Sequence, residues 1–209
     1  MKKVYLLFIC LVFISSCNDD LVMERNDILS TNNIEISIHD SLLMNKDLVL
    51  KKDFAKALSK VFNESLMARN LIKNEALKMI DNDYDVLYQL VKDEMLEDNI
   101  TFEQYIGKYI EMDKLLSINE KFPTLTIFVP ELPKNSFSAA LWNTDKEIPV
   151  VAVRTCISND VPIYDKDGEE KIIKSDLIPM YPIVVLKDNE RIVANEYLSL
   201  IHISEPTRH

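Results

Sequence analysis

The chain has 209 residues, of which 47% are hydrophobic, so it can bury the core of one ordinary globular domain. Its formal net charge of −10 argues against nucleic acid as a partner, because nucleic-acid binding requires clusters of Lys and Arg. The two glycines, Gly107 and Gly168, are too few for a P-loop, a dinucleotide fingerprint or a nucleophile elbow.

The start of the chain has the layout of a bacterial secretion signal over residues 1–16. Lys2 and Lys3 precede an apolar run over residues 4–14, which is too short to span a bilayer as a helix. The run leads into the lipobox-like sequence Ile14, Ser15, Ser16 and Cys17. The resemblance to the bacterial lipobox implies cleavage before Cys17, its acylation, and a membrane partner reached through this lipid anchor. The alternative is an ordinary cleaved signal with an incidental cysteine.

An acidic segment follows the cysteine directly, formed by Asn18, Asp19 and Asp20. An acidic pair at this place resembles the surface-export signal of Bacteroidetes lipoproteins, and the Ile-, Lys- and Asn-rich composition is similar to that group. The resemblance implies a cell-envelope lipoprotein of the outer membrane that is exposed at the surface. The alternative is a solvated tether without an export role.

Residues 17–50 are polar with scattered aliphatic side chains and are predicted to form this lipidated tether. Ile34, Ile36 and Ile38 alternate with polar residues. Because a period of two is typical of a strand, a short strand is predicted at residues 34–38.

The last residues of the chain resemble a sequence that does not come from the gene itself. Residues 198–208 are similar to an in-frame translation of sequencing-library adapter DNA. The resemblance implies that residues 198–209 are an artefact, that the genuine sequence stops near Tyr197, and that an unknown length of protein is missing. His202 is therefore not expected to be a catalytic residue.

Residues 51–122 have helical periodicity and are predicted to form a subdomain of about four helices. Asp53 is predicted to cap the first helix. Its apolar face has the spacing i, i+4, i+7 and i+8 and consists of Phe54, Leu58, Val61 and Phe62.

Further helices are predicted along the same region. One apolar stripe runs through Ile72, Ala76, Met79 and Ile80. Asp83 is predicted to cap a helix over residues 84–95. Thr101 and Gln104 have the spacing of a capping box for the next helix.

After Phe122, prolines end the helical pattern and β-branched residues take over. Gly168 is predicted at the left-handed position of a hairpin turn. Strands are predicted at residues 124–129, 149–155, 161–164, 170–173, 182–186 and, more weakly, 191–194. The prediction is an α+β fold, in which the helices are followed by a small, mostly antiparallel sheet over residues 123–197.

Few residues point to chemistry. Asp165 and Asp167 alternate before Gly168, as acids do in calcium loops, but the glycine comes too early for that motif and a solvated hairpin turn is the alternative. Trp142, the single tryptophan, is interpreted either as an exposed binding aromatic or as part of the core. Cys156 is read as a buried structural cysteine rather than a reactive thiol. No catalytic constellation stands out, so no cofactor is expected and enzymatic activity is left open.

Four runs, at residues 76–88, 125–130, 149–153 and 182–191, resemble the N-terminal region of uncharacterised secreted Bacteroidetes proteins. These motifs are structural, so the resemblance implies a module and no activity. The leading hypothesis is an accessory or pro-region-like module of a longer surface-anchored protein, whose partner is the missing C-terminal domain or another surface protein. The alternatives are a self-contained module that binds a peptide, glycan or protein, and a hydrolase that uses Asp or Glu.

Overall fold

The computed structural model describes residues 30–155 and 159–189. The chain divides into two compact units, Met1–Asp40 and Ser41–His209. The described residues form an α+β fold, as predicted, with helices before a six-stranded sheet. The α-helices in these residues are α1 (Ser30–Glu64), α2 (Leu66–Ala76), α3 (Tyr88–Val91), α4 (Phe102–Ile106) and α5 (Met112–Lys121).

The sheet is mostly antiparallel, as the sequence predicts. Its strands are β1 (Asp85–Leu87), β2 (Leu125–Phe128), β3 (Val150–Val153), β4 (Val161–Tyr164), β5 (Glu170–Ile173) and β6 (Ile183–Asp188). They lie in the order β1-β2-β6-β3-β4-β5, and only β3 and β6 pair in parallel. Within the described residues, β6 therefore lies in the middle of the sheet, between β2 and β3.

The helices and the inner face of the sheet share one hydrophobic core. The predicted α1 face is confirmed, because Phe54, Leu58, Val61 and Phe62 are fully buried. Alternate residues of the central strands join the same core, namely Leu125, Ile127, Val151, Val153, Val184 and Leu186. The period of two along these strands places their other side chains on the opposite face of the sheet.

The strand predicted at residues 34–38 is wrong, because these residues lie inside α1. Asp53 does not cap this helix either, since α1 begins 23 residues earlier, at Ser30. Instead, its carboxylate forms a salt bridge of 2.9 Å to Lys114. Once a helix is nucleated it extends at little cost per residue, so a short alternating run does not stop it. Among the described residues, no helix is both long and apolar enough to cross a bilayer.

The helix predicted over residues 84–95, with Asp83 as its cap, is also wrong. Asp85–Leu87 pair with β2 as the strand β1, and only the four residues of α3 are helical. The apolar spacing fits a helix, but three residues whose side chains are all buried fit an edge strand as well. The neighbouring strand β2 supplies the backbone partners that the strand needs, and the sequence pattern does not show them.

Of two predictions about where helices begin or end, one is wrong and one is confirmed. The stripe through Met79 and Ile80 does not stay helical, because α2 ends at Ala76 and Met79 has a φ of 50°. The capping box is confirmed: the Gln104 N–H donates to the Thr101 hydroxyl, and the Thr101 N–H donates to the Gln104 side chain. A local motif of this kind is formed by residues of one helical turn, so the sequence alone predicts it.

Candidate functional site

The outer face of the sheet, turned away from the helices, is apolar across its strands β3 to β6. Ala152, Ile163 and Ile183 form a second buried cluster there, separate from the main core. Partly buried residues that pack against it include Val150, Val161, Ile173 and Val185. A sheet face exposed to water is usually polar, so this face is typical of one that another layer covers.

The segment 174–181, between β5 and β6, covers only a part of the outer face. Leu177 and Pro179 face Ala152, Val161 and Val185 across a cavity of about 240 Å³. The cavity is lined mainly by aliphatic side chains, with Arg154 and Lys174 among its polar lining residues. Such a cavity can accept an apolar group, but it brings no pair of carboxylates together.

The segment 174–181 itself presents apolar side chains to solvent. Leu177, Ile178 and Met180 are 62%, 64% and 53% exposed, and Tyr181 at the end of the segment is exposed as well. Single exposed apolar residues are common, but a contiguous group marks an interaction surface or an aggregation-prone one. The outer face and this segment are therefore the candidate functional site.

One ion pair and one backbone hydrogen bond hold the start of the segment 174–181. Lys174 Nζ lies 2.6 Å from Asp160 Oδ2, and the Ser175 N–H donates to Asp160 Oδ1 at 3.2 Å. Lys174 is the main cause of the lowered pKa of Asp160. These contacts fix the N-terminal end of the segment, next to β5. The backbone that carries the exposed apolar residues is therefore held in place at this end.

The opposite end of the outer face is polar. Lys187 of β6 lies 2.8 Å from the carboxylate of Asp85, which is 1% exposed, and the Asn189 amide donates to the same group at 3.1 Å. Lys187 Nζ also lies 4.2 Å from the centre of the Phe128 ring. A buried carboxylate paired in this way favours one register of the three adjacent strands.

The weak metal candidates Asp165 and Asp167 are part of a hairpin turn. Asp165 Oδ1 accepts hydrogen bonds from the backbone N–H groups of Asp167 and Glu169, and Oδ2 pairs with Lys171 at 2.6 Å. Gly168 has the predicted positive φ, 77°. These contacts are typical of a hairpin turn, which is the alternative to a metal site. In the parts of the chain that the structure describes, no three His, Cys, Asp or Glu residues are arranged to hold a metal ion.

Trp142 is part of the core and not an exposed binding aromatic. It is fully buried, its ring meets Phe62 and Phe137 at centroid distances of 6.2 and 5.9 Å, and its Nε1–H donates to the Glu147 carbonyl at 3.1 Å. Lys73 of α2 donates to the Trp142 carbonyl at 2.7 Å. The sequence does not decide between these two interpretations. A single Trp is not part of a periodic apolar pattern, which would predict whether its side chain is buried.

The other predicted site residues lie outside the described residues, and so do Cys156 and the strand predicted at residues 191–194. They are the lipobox residues Ile14, Ser15 and Ser16, the lipidation residue Cys17, and the export residues Asn18, Asp19 and Asp20.

The sequence predicts burial of the strands at residues 149–155 and 182–186, for the first of them on both faces, but not that the outer face is covered only in part. The signal for this burial is that Val150 to Val153 and Ile183 to Leu186 are apolar at every position. The exposed segment 174–181 has no such signal, since its apolar residues follow no period. Comparison with protein-family models, with curated proteins and with solved structures gives no significant match.

Proposed function

We propose that this chain is a non-enzymatic accessory module of a cell-envelope lipoprotein, anchored through Cys17. Its outer sheet face packs against a domain that follows β6 in a longer chain. The observation that carries the proposal is an apolar sheet face that the segment 174–181 covers only in part. Covering these side chains removes apolar area from water at about 25 cal/mol per Å².

The position of β6 supports an occupant from the same chain. β6 runs through the middle of the sheet, with Ile183 and Val185 on the outer face. A domain that follows this strand is held close to the face by the chain itself. Its effective concentration is therefore high, and a modest apolar contact is enough to keep it docked.

The test begins with the gene. We expect long-read sequencing of the gene across the codon of Tyr197 to show that the reading frame continues into a further domain. In the longer protein, backbone amides of residues 172–181 should exchange with deuterium more slowly than in the 209-residue chain. A stop codon within a few residues of Tyr197, or unchanged exchange in this segment, contradicts the proposal.

A pair of variants localises the contact. Leu177→Asp puts a charge on the exposed segment, and Leu141→Asp puts the same charge at an exposed site far from it in sequence. In the longer protein, Leu177→Asp should restore fast exchange in residues 172–181, whereas Leu141→Asp should not. Equal effects of the two variants would mean that the outer face is not the docking surface.

The second candidate is a self-contained binding module for a protein or peptide partner. The cavity of about 240 Å³ beside Leu177 favours it, because one apolar side chain of a partner fits such a space. This candidate takes precedence if the gene ends near Tyr197 and if the wild-type chain, but not Leu177→Asp, is captured by a partner on intact cells.

A further inference from the structure

One edge of the sheet is open in the part of the chain that the structure describes, and the proposed function does not use it. The strand β5 is the last in the sheet order, and among the described strands it pairs with β4 alone. Glu170, Lys171 and Ile172 are exposed, whereas all three residues of β1, the strand at the other edge, are buried. An exposed edge presents unpaired backbone N–H and C=O groups, which can pair with a further strand.

The register of the hairpin shows which backbone groups of β5 point outward. The Asp165 N–H donates to the Glu169 carbonyl at 3.2 Å, so these two residues form a hydrogen-bonded pair. Such pairs alternate with non-hydrogen-bonded ones along an antiparallel ladder. Glu170 and Ile172 therefore belong to non-hydrogen-bonded pairs, and Ile172 lies opposite Pro162, which has no N–H to donate. The backbone N–H and C=O groups of Glu170 and Ile172 consequently face the open edge.

The side chains of these two residues lie on the helix side of the sheet. Glu170 pairs with Lys52 of α1 at 2.6 Å, whereas Ile173 packs against the apolar cluster of the outer face. Because side chains alternate along a strand, Ile172 lies on the same side as Glu170. Ile172 is nevertheless 58% exposed, so the helical layer does not cover it. A strand added at this edge would meet an exposed aliphatic side chain next to a carboxylate.

We propose that β5 pairs antiparallel with β5 of a second copy of this chain, with the two Ile172 residues opposite each other on a twofold axis. In this register the two Ile172 backbones exchange two hydrogen bonds, and their side chains form an apolar pair. Glu170 lies opposite Lys174 of the second copy, and Lys171 lies opposite Ile173 of the second copy. No two like charges are directly opposed.

The other twofold registers fit less well. Centring the pair on Glu170 opposes two carboxylates, and centring it on Lys171 opposes two ammonium groups. Like charges directly opposite each other destabilise a sheet. Centring it on Ile173 requires an extended chain beyond Lys174, but the Leu177 N–H donates to the Lys174 carbonyl at 2.9 Å, so the chain turns there. The residues of β5 therefore select the proposed register.

The second copy is a better occupant of the edge than an unrelated peptide. A peptide gains the same backbone hydrogen bonds, but a second copy also brings a matching aliphatic side chain to Ile172. A lysine on an edge strand usually discourages pairing. Here Lys171 pairs with Asp165 at 2.6 Å and meets an aliphatic residue of the second copy. A contact of four residues on each side is small, so we expect a weak and reversible dimer.

Sedimentation equilibrium of the full chain tests the pairing, and its average mass should rise with concentration. Ile172→Lys places two ammonium groups opposite each other on the axis and should weaken self-association by about tenfold or more. Leu177→Lys puts the same charge on the exposed segment of the outer face and should associate as the wild type does. Circular dichroism of both variants checks the fold. This control separates the edge from the docking surface of the proposed function.

Amide hydrogen exchange of the wild-type chain, resolved by residue, gives a second test without a variant. The amides of Glu170 and Ile172 should exchange more slowly in concentrated than in dilute solution. Those of Lys171 and Ile173, which already face β4, should not change. Three results overturn the proposal: a mass that does not depend on concentration, exchange at Glu170 and Ile172 that does not depend on it, or self-association that Leu177→Lys weakens as much as Ile172→Lys does. The last result assigns the contact to the outer face.

Discussion

At the residue scale, the most consequential contact is the buried pair of Asp85 and Lys187. Asp85 is 1% exposed and Lys187 15% exposed at their side chains, and the two belong to strands on either side of β2. A buried charge that keeps its partner is tolerated, whereas a buried charge without one is strongly destabilising. The pair therefore favours one register of β1, β2 and β6 over any other.

Lys187→Met should test this pair, because the variant keeps the apolar stem and removes the charge next to Asp85. We expect the free energy of unfolding in urea to fall by about 3–5 kcal/mol. The control is Lys52→Met, which removes the more exposed pair with Glu170 and should cost less than about 1 kcal/mol. Similar losses in the two variants would show that the Asp85 carboxylate is hydrated and not buried.

The hairpin carboxylates predict a loss of stability in acid. A hydrogen bond from Lys52, and a further one from Tyr164, lower the pKa of Glu170 below its usual 4.5, and Lys171 does the same for Asp165. Folding therefore favours the charged forms. Their contribution is complete above the usual pKa and is lost as the pH falls through the lowered folded pKa.

We expect the urea midpoint of the wild-type chain to fall between about pH 5 and about pH 2. Glu170→Gln cannot titrate at this position, so its midpoint should be lower at neutral pH and should fall less in acid. The two midpoint curves should converge at the acid end. Parallel curves would mean that Glu170 contributes nothing to the pH dependence.

At the scale of the element, the hairpin between β4 and β5 depends on Gly168. Its φ of 77° is in the left-handed region, and a Cβ there would lie 2.8 Å from Cε of Lys60 and 3.3 Å from Cγ of Lys56. Both lysines belong to α1, so the turn packs closely on the first helix. Close approach and backbone conformation both call for glycine.

Gly168→Ala should lower the free energy of unfolding by about 1–2 kcal/mol, the cost of a left-handed alanine. Gly107→Ala is the matched control, because Gly107 has an ordinary φ of −59° at the end of α4 and the nearest atom to an added Cβ is 3.4 Å away. This second variant should be neutral or slightly stabilising, since alanine restricts the unfolded chain more than glycine does. Chemical denaturation of both variants measures the difference. The reverse order would show that the turn rearranges to accept a side chain.

Local motifs explain which elements the sequence predicts well. The capping box at Thr101, the hairpin around Gly168 and the buried strand β3 depend on residues close together in the chain, and all three are confirmed. The helix predicted over residues 84–95 is wrong because β1 exists only through its pairing with β2, about 40 residues away. In a short run, the apolar spacing fits the period of a helix as well as that of a strand. Pairing with a distant strand decides which of the two forms.

At the scale of the whole molecule, the described part of the unit Ser41–His209 has its helices and sheet on one shared core. Trp142 reports on this core, because it is the only tryptophan and lies between Phe62 of α1 and Phe137. A helical layer that shares its core with a sheet has no separate hydrophobic interior of its own. Loss of one layer therefore exposes the other.

We expect urea unfolding followed by tryptophan fluorescence and by far-ultraviolet circular dichroism to give coincident transitions. The first signal reports the packing around Trp142 and the second reports the helices. Two separate transitions would show that the helical part and the sheet are independent domains. The measurement needs no variant, and the fluorescence of Trp142→Phe provides the baseline without tryptophan.

The sequence by itself determined the α+β class, the α1 apolar face, the capping box, five of the six described strands and the turn at Gly168, because short-range periodicity and turn chemistry specify them. It also supports the lipid anchor at Cys17, which stays a prediction. Only the tertiary structure decided that Trp142 is core, that β1 is a strand, and that the segment 174–181 covers only a part of the apolar outer face. Each of these depends on which distant residues cover a side chain, and that information is not contained in the local pattern around it.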